Sequence, residues 1–273
     1  MTAKDDFTAF DAAFEALTDN KPFPWQRKLY ARLLAGEIPD SCDIPTGLGK
    51  TAVIPIWLIA LANAPAKVAR RLVYIVNRRT VVDQATAMVE RIRQRLTDPD
   101  HDDWRKHEEA LRSLNEKLMG LAATDGPPLA VSTLRGQFAD NAEWRADPAR
   151  PAVVVGTIDM IGSRLLFSGY RCGFKSRPLH AGFLGQDSLV VHDEAHLELP
   201  FQTLLESIEN EQRRGRFPDF LPMRVMALSA TSRGGANGTS EEEPKAKPLG
   251  LTDADRKNPV VKKRIHAKKG VRL

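Results

Sequence analysis

Two short strings hold residue types that could do chemistry on a phosphate chain. The first is Pro45-Thr46-Gly47-Leu48-Gly49-Lys50-Thr51. Glycines in such a turn let backbone N–H groups converge on anionic oxygens, because no Cβ stands in the way. Lys50 then brings its cation to the outer phosphates, and the Thr51 hydroxyl, at the start of the next helix, can join a Mg²⁺ shell. Thr46 and Leu48 complete the loop. The strict phosphate-loop pattern has glycine where this chain has Ile44, so the string points to a subclass of that loop. The second string, Asp193-Glu194-Ala195-His196, ends the apolar run Ser188-Leu189-Val190-Val191. Asp193 is placed there to hold Mg²⁺ through water, and Glu194 to polarise the water attacking a γ-phosphate. An ATP–Mg²⁺ site follows, with Lys50, Asp193 and Glu194 at its centre. It requires that Lys50 and the carboxylate pair meet across one crevice.

Other positions allow more than one reading. Gln26, just ahead of the loop, can offer a paired donor and acceptor to the edge of adenine; a surface glutamine on a helix start is the plain alternative. Asn77, Arg78 and Arg79 close a β-prone run and could hold a phosphate backbone, or be a solvated basic pair. His101-Asp102 has metal-ligand chemistry but no converging partners in the sequence, so a polar loop is preferred.

The elements that must position these residues are legible from periodicity. Phe7, Phe10, Phe14 and Leu17 recur at helical spacing, and Leu29, Leu33 and Leu34 form a second helical pattern opened by Pro24. Ala52–Ala64 reads as a buried helix. The run 71–76 is β-prone throughout, as strands covered on both faces are, and 223–228 is of the same buried type. The run 129–136 reads as a strand ending in a polar loop, 152–159 repeats that arrangement, and 188–191 is a short β-prone run that carries the carboxylates to a strand end. Between them lie a helix over 81–96 and an excursion over about 97–127 with a helical stripe at Leu111, Leu114, Leu118 and Leu121. Gly169–Gly185, glycine-bearing and basic, reads as a loop. Alternating strands and helices predict an α/β fold with a mostly parallel sheet and helices on both faces. In such sheets ligands bind outside the carboxyl ends of the strands.

The chain has 273 residues, 42% hydrophobic and 27% charged, which suits a soluble α/β domain. A net charge of +5 permits a polyanionic partner without requiring one. No segment reads as a membrane span or secretory signal. Cys42 and Cys172 have no metal or redox spacing, which fits a reducing cytoplasm.

Gln26, Pro45–Thr51, Asp193–His196 and Ser229-Ala230-Thr231 stand in the order and spacing of superfamily 2 helicases, which the chain resembles over nearly its whole length. Three further strings, Val76–Gln84, Ser132–Gly136 and Gly156–Arg164, look most like the CRISPR-associated type I helicase–nuclease of the type I-U (I-G) branch. That resemblance implies a RecA-like lobe (residues 21–232) with an N-terminal helix (1–20) packed on it. It assigns Gln26 to adenine; Thr46, Gly47, Leu48, Gly49, Lys50 and Thr51 to the phosphates; and Thr51 and Asp193 to Mg²⁺. Arg78, Arg79, Thr133, Arg135, Thr157 and Arg164 would lie along a single-stranded DNA track, with His196, Ser229 and Thr231 coupling hydrolysis to movement. The implied partners are a second RecA-like lobe, a nuclease domain or subunit, and the Cascade surveillance complex. Neither second lobe nor nuclease is recognisable here, so the sequence reads as a truncated product or split subunit, with 233–273 a mobile basic linker. Another superfamily 2 motor, an RNA helicase or restriction translocase, and a lobe that binds nucleic acid without turnover are the alternatives.

Overall fold

The computed structural model describes residues 3–99, 104–135, 142–169, 172–215, 221–229 and 247–265. In chain order these form α1 (Ala3–Thr18), α2 (Pro24–Ala35), β1 (Ser41–Asp43), α3 (Val53–Asn63), β2 (Arg71–Val76), α4 (Arg79–Thr97) and α5 (Trp104–Met119). Then come β3 (Ala130–Leu134), α6 (Glu143–Ala146), β4 (Ala152–Thr157), α7 (Ile158–Leu165), α8 (Arg177–Gly185), β5 (Ser188–Asp193) and α9 (Leu199–Gly215). The chain closes with β6 (Met223–Ser229), β7 (Leu249–Gly250), α10 (Asp253–Lys257) and α11 (Pro259–Ile265).

The strands make one seven-stranded sheet in the order β3-β4-β2-β5-β6-β1-β7, every pairing parallel. All six residues of β2 are buried, as a parallel strand with both faces covered requires. Its alternate side chains serve different cores. Leu72, Tyr74 and Val76 pack with α1 to α5, while Val73 and Ile75 pack with Trp144, Ile161, Leu184 and Leu205 of α6 to α9. Helix α3 is apolar all round and buried from Val53 to Ala62, because the sheet lies on one side and α1, α2 and α5 on the other. Pro55 falls in its first turn, where no intrahelical N–H is lost. Leu111, Leu114 and Leu118 of α5 are buried against this same layer.

Two expectations change. Residues 177–185, read as loop, form α8: Pro178 sits at its first turn, and His180, Ala181, Leu184 and Gly185 make a buried stripe at helical spacing. Residues 247–265, assigned to a mobile linker, are folded onto the lobe. Leu249 and Val261 are fully buried, and β7 extends the sheet beside β1. Buried Asp255 accepts hydrogen bonds from the backbone N–H of Thr252 (2.9 Å) and of Trp25 (2.8 Å), tying α10 to the first turn of α2. The helix end thereby gains an anionic acceptor for an N–H that α2 itself cannot satisfy. Ala230, Thr231, Gly136 and His101-Asp102 lie outside the described residues.

Candidate nucleotide site and nucleic-acid rim

The phosphate loop leaves β1 at the carboxyl rim of the sheet. Its start is fixed by the Ile44 N–H, which donates to the Ser229 carbonyl of β6 (2.9 Å), and its middle by Leu48, whose side chain is fully buried. Only the Leu48 backbone therefore remains for a ligand. Gly47 and Gly49 have φ of +83° and +75°, left-handed values that a side chain would strain. A short 3-10 turn, Lys50–Ala52, then feeds α3, so the loop amides sit at the positive end of a buried helix.

Lys50 and the carboxylate pair meet. Lys50 Nζ donates to Glu194 Oε1 at 2.7 Å, with the Lys50 side chain only 9% exposed. Asp193 ends β5, and both its oxygens are held from inside. The Tyr74 hydroxyl of β2 donates to Oδ2 (2.8 Å), and the Glu194 N–H donates to Oδ1 (3.0 Å). Glu194 adopts a left-handed backbone, φ 51° and ψ 40°, costly for a residue with a Cβ, and this turns its carboxylate from the strand toward the loop. His196 Nδ1 stands 3.5 Å from the other Glu194 oxygen.

Burial raises the Asp193 pKa, an effect that the Tyr74 hydrogen bond and the Lys50 charge oppose and the Glu194 charge reinforces. The Tyr74 hydroxyl is pushed well above its ordinary range, chiefly by burial and then by the Asp193 charge. A carboxylate with a raised folded-state pKa weakens the fold once ionised. That deficit is absent below the ordinary value of 3.8 and complete above the raised one. Asp193→Asn is therefore expected to unfold at higher urea than the wild-type chain at neutral pH, the gap closing as pH falls toward 3.8. A variant no more stable at neutral pH would contradict this account.

Gln26 is 3% exposed beside the loop, and a Cβ on Gly49 would meet its Nε2 at 3.3 Å. Gln26 Oε1 accepts the Phe23 N–H at 2.8 Å, as the third residue of α2, which leaves that oxygen one lone pair. Its Nε2 remains for a base. Thr51 and Gln26 line a cleft of about 580 Å³ together with Phe23, Gly49, Val260 and Arg264. A larger groove of about 970 Å³ between α1, α3 and α5 contains none of the loop or carboxylate residues.

The other half of the rim carries the residues read as a nucleic-acid track. Arg78 and Arg79 are exposed where β2 passes into α4. Between them and the strand, the buried amide atoms of Asn77 have no hydrogen-bond partner among the described residues. Thr133 Oγ1 lies 3.0 Å from Thr86 Oγ1, Arg135 pairs with Asp83, and Thr157 stands where β4 passes into α7. Because β3, β4 and β2 are adjacent, these positions share one side of the sheet. Arg164 does not join them. It is 4% exposed and donates to the Met160 carbonyl, because it falls on the inward stripe of α7 with Met160, Ile161 and Leu165.

Sequence reasoning missed Tyr74, whose only signal was one hydroxyl in an otherwise aliphatic strand, and Arg264, hidden in a basic run. His196 is exposed and Ser229 buried at the end of β6.

The family described as "Type III restriction enzyme, res subunit" matches residues 20–232. No curated protein matches the chain. Among solved structures, it is similar to the DEAD-box helicase Mss116 bound to single-stranded RNA and UDP-BeF, with 19% identity, a TM-score of 0.50 and coverage of 81% of this chain and 38% of that one. It is also similar to the Mycobacterium smegmatis helicase Lhr bound to single-stranded DNA and AMP-PNP, with 17% identity, a TM-score of 0.51 and coverage of 85% and 26%. The chain thus spans well under half the length of either. These likenesses establish the RecA-like fold.

Proposed function

The chain belongs to the type III restriction enzyme res-subunit family, and from that premise we propose that it is the ATP-binding lobe of a superfamily 2 motor that moves on DNA in CRISPR interference. The observation that carries the nucleotide part is the 2.7 Å contact between Lys50 and Glu194, with Asp193 beside it. A cation held by a carboxylate at the mouth of a glycine loop exchanges that partner for phosphate oxygens when a triphosphate enters. Glu194, released from Lys50, is then free to orient water. Thr46, Gly47, Leu48 and Gly49 offer backbone amides, and Gln26 offers Nε2 to the base.

The Thr51 hydroxyl and Asp193 carboxylate are hard oxygen donors next to a phosphate loop, a set that fits Mg²⁺. When bound, the ion neutralises developing phosphate charge. Tyr74 and the Glu194 N–H keep Asp193 oriented for it.

Arg78, Arg79 and Asn77 at the amino end of α4 suit a phosphate backbone, which favours a helix N-terminus and arginines alike. Arg135, Thr133 and Thr157 continue that line along the neighbouring strand ends; buried Arg164 acts as structure. His196, Ser229 and Thr231 are assigned to coupling. The CRISPR reading rests on resemblance in Val76–Gln84, Ser132–Gly136 and Gly156–Arg164, and it brings a second RecA-like lobe, a nuclease and the Cascade complex as partners in the cytoplasm. No described helix is long and apolar enough to cross a membrane.

The family description favours one rival, a restriction-type translocase. The test is ATP hydrolysis by the lobe joined to a second lobe, measured with single-stranded DNA, single-stranded RNA and plain duplex DNA. Preferential stimulation by single-stranded DNA is expected. Preference for duplex points to the restriction motor and preference for RNA to an RNA helicase. Nucleic-acid binding indifferent to ATP, without turnover, would make the lobe a non-catalytic module.

A further inference from the structure

The cleft beside the phosphate loop has a wall that the nucleotide reading does not use. It comes from the far end of the described chain. Arg264 of α11 donates to the carbonyl of Gly47, inside the loop, at 2.6 Å. Its guanidinium carbon also lies 5.9 Å from the centre of the Phe23 ring. Phe23, Gln26, Gly49, Thr51, Val260 and Arg264 line one end of a space of about 580 Å³ whose remaining wall comes mainly from α1, α3 and α4.

The placement is built. Val261 is fully buried, Asn258 Oδ1 accepts the Val260 N–H at 3.0 Å, and buried Asp255 binds the Trp25 N–H next to Phe23. Helix α11 is therefore tied to the residues that form the opposite wall. The Arg264 side chain itself is exposed, so its bond to Gly47 competes with water and is readily exchanged.

A planar cation facing an aromatic ring, next to a loop that binds phosphates, matches a flat heterocycle linked to a phosphate chain. Guanidinium groups and aromatic rings both stack on nucleobases. Gln26 leaves its Nε2 for the edge of whatever lies there, its oxygen being oriented by the Phe23 N–H. We propose that Arg264 is a nucleotide-binding residue, and that with Phe23 it encloses the base and ribose of ATP bound at the phosphate loop. The inference rests on the nucleotide reading above and extends it to a residue outside that reading's motifs.

The experiment is equilibrium binding of ATP and of inorganic tripolyphosphate, each with Mg²⁺, to the 273-residue chain. Wild type is compared with Arg264→Ala, Arg264→Lys and Lys50→Ala. Arg264→Ala is expected to weaken ATP by about 5- to 30-fold, the range of a stacked cation, and to leave tripolyphosphate within about twofold. Arg264→Lys keeps the charge without the plane and should recover only part of the loss. Unchanged ATP affinity in Arg264→Ala would overturn the proposal. Tighter ATP binding would overturn it too, by making the arginine a plug. So would equal losses for ATP and tripolyphosphate, which indicate charge alone. ATP binding by wild type that Lys50→Ala abolishes would leave the nucleotide reading standing in each of those cases. No binding by wild type would end both.

Discussion

Lys50→Ala and Glu194→Gln are each expected to lower nucleic-acid-stimulated ATP turnover by about 100- to 1,000-fold or more, when the lobe is assayed with a second lobe. The two should fail differently. Lys50 is paired with Glu194 at the mouth of the loop, so alanine removes attraction for the phosphates and affinity falls with rate. Glutamine at 194 keeps an oxygen within reach of Lys50 Nζ, now at 2.7 Å from the glutamate, so ATP should still bind. It lacks the negative charge that draws a proton from water. Binding measured alongside single-turnover hydrolysis separates these outcomes. The double variant should lose little more than the worse single one, because residues acting as a unit are not additive. Turnover unchanged in either single variant would remove that residue from the mechanism.

The second large effect concerns the chain by itself. Its turnover is expected to be about 10³–10⁵-fold slower than that of the same chain with a second RecA-like lobe, the range an arginine supplied from across a site can contribute. Among the described residues, Glu194 pairs with Lys50 and stands beside the His196 ring, and Arg264 stands at the Gly47 end of the loop. The donor for charge developing on the transferred phosphate is expected from a second lobe. Single-turnover hydrolysis with and without added second lobe measures the gap. Comparable rates in both would refute the prediction.

What could be read from sequence was local. The run 71–76 matches β2, while 152–159 overshoots β4 by two residues and 188–191 stops two short of the end of β5; strands covered on both faces carry their environment in their composition. The loop and the Asp193-Glu194 string were equally plain, since each has its chemistry within a few residues. Everything that depended on a partner far along the chain was hidden. Tyr74 meets Asp193 only because β2 and β5 pair with Tyr74 opposite Val191. Gln26 Oε1 also accepts the N–H that opens its own helix. Arg164 looked like a surface cation until α7 turned it inward, and α8 was obscured by basic residues around its apolar stripe. The basic run after residue 247 concealed two anchors, Leu249 and Val261, spaced too widely to register as a pattern.

The strand beneath the phosphate loop has a consequence for how the protein is made. β1 is three residues long, and its neighbours are β6 and β7: Cys42 lies between Leu228 and Leu249. So short a segment cannot hold itself straight without them. As the ribosome releases the chain, Lys50 emerges well before the strands that flank β1, Met223–Ser229 and Leu249–Gly250. The grip on a triphosphate thus assembles only after β6 has followed β1 out, and a nascent chain that stops short of β6 has no cradle to close on nucleotide.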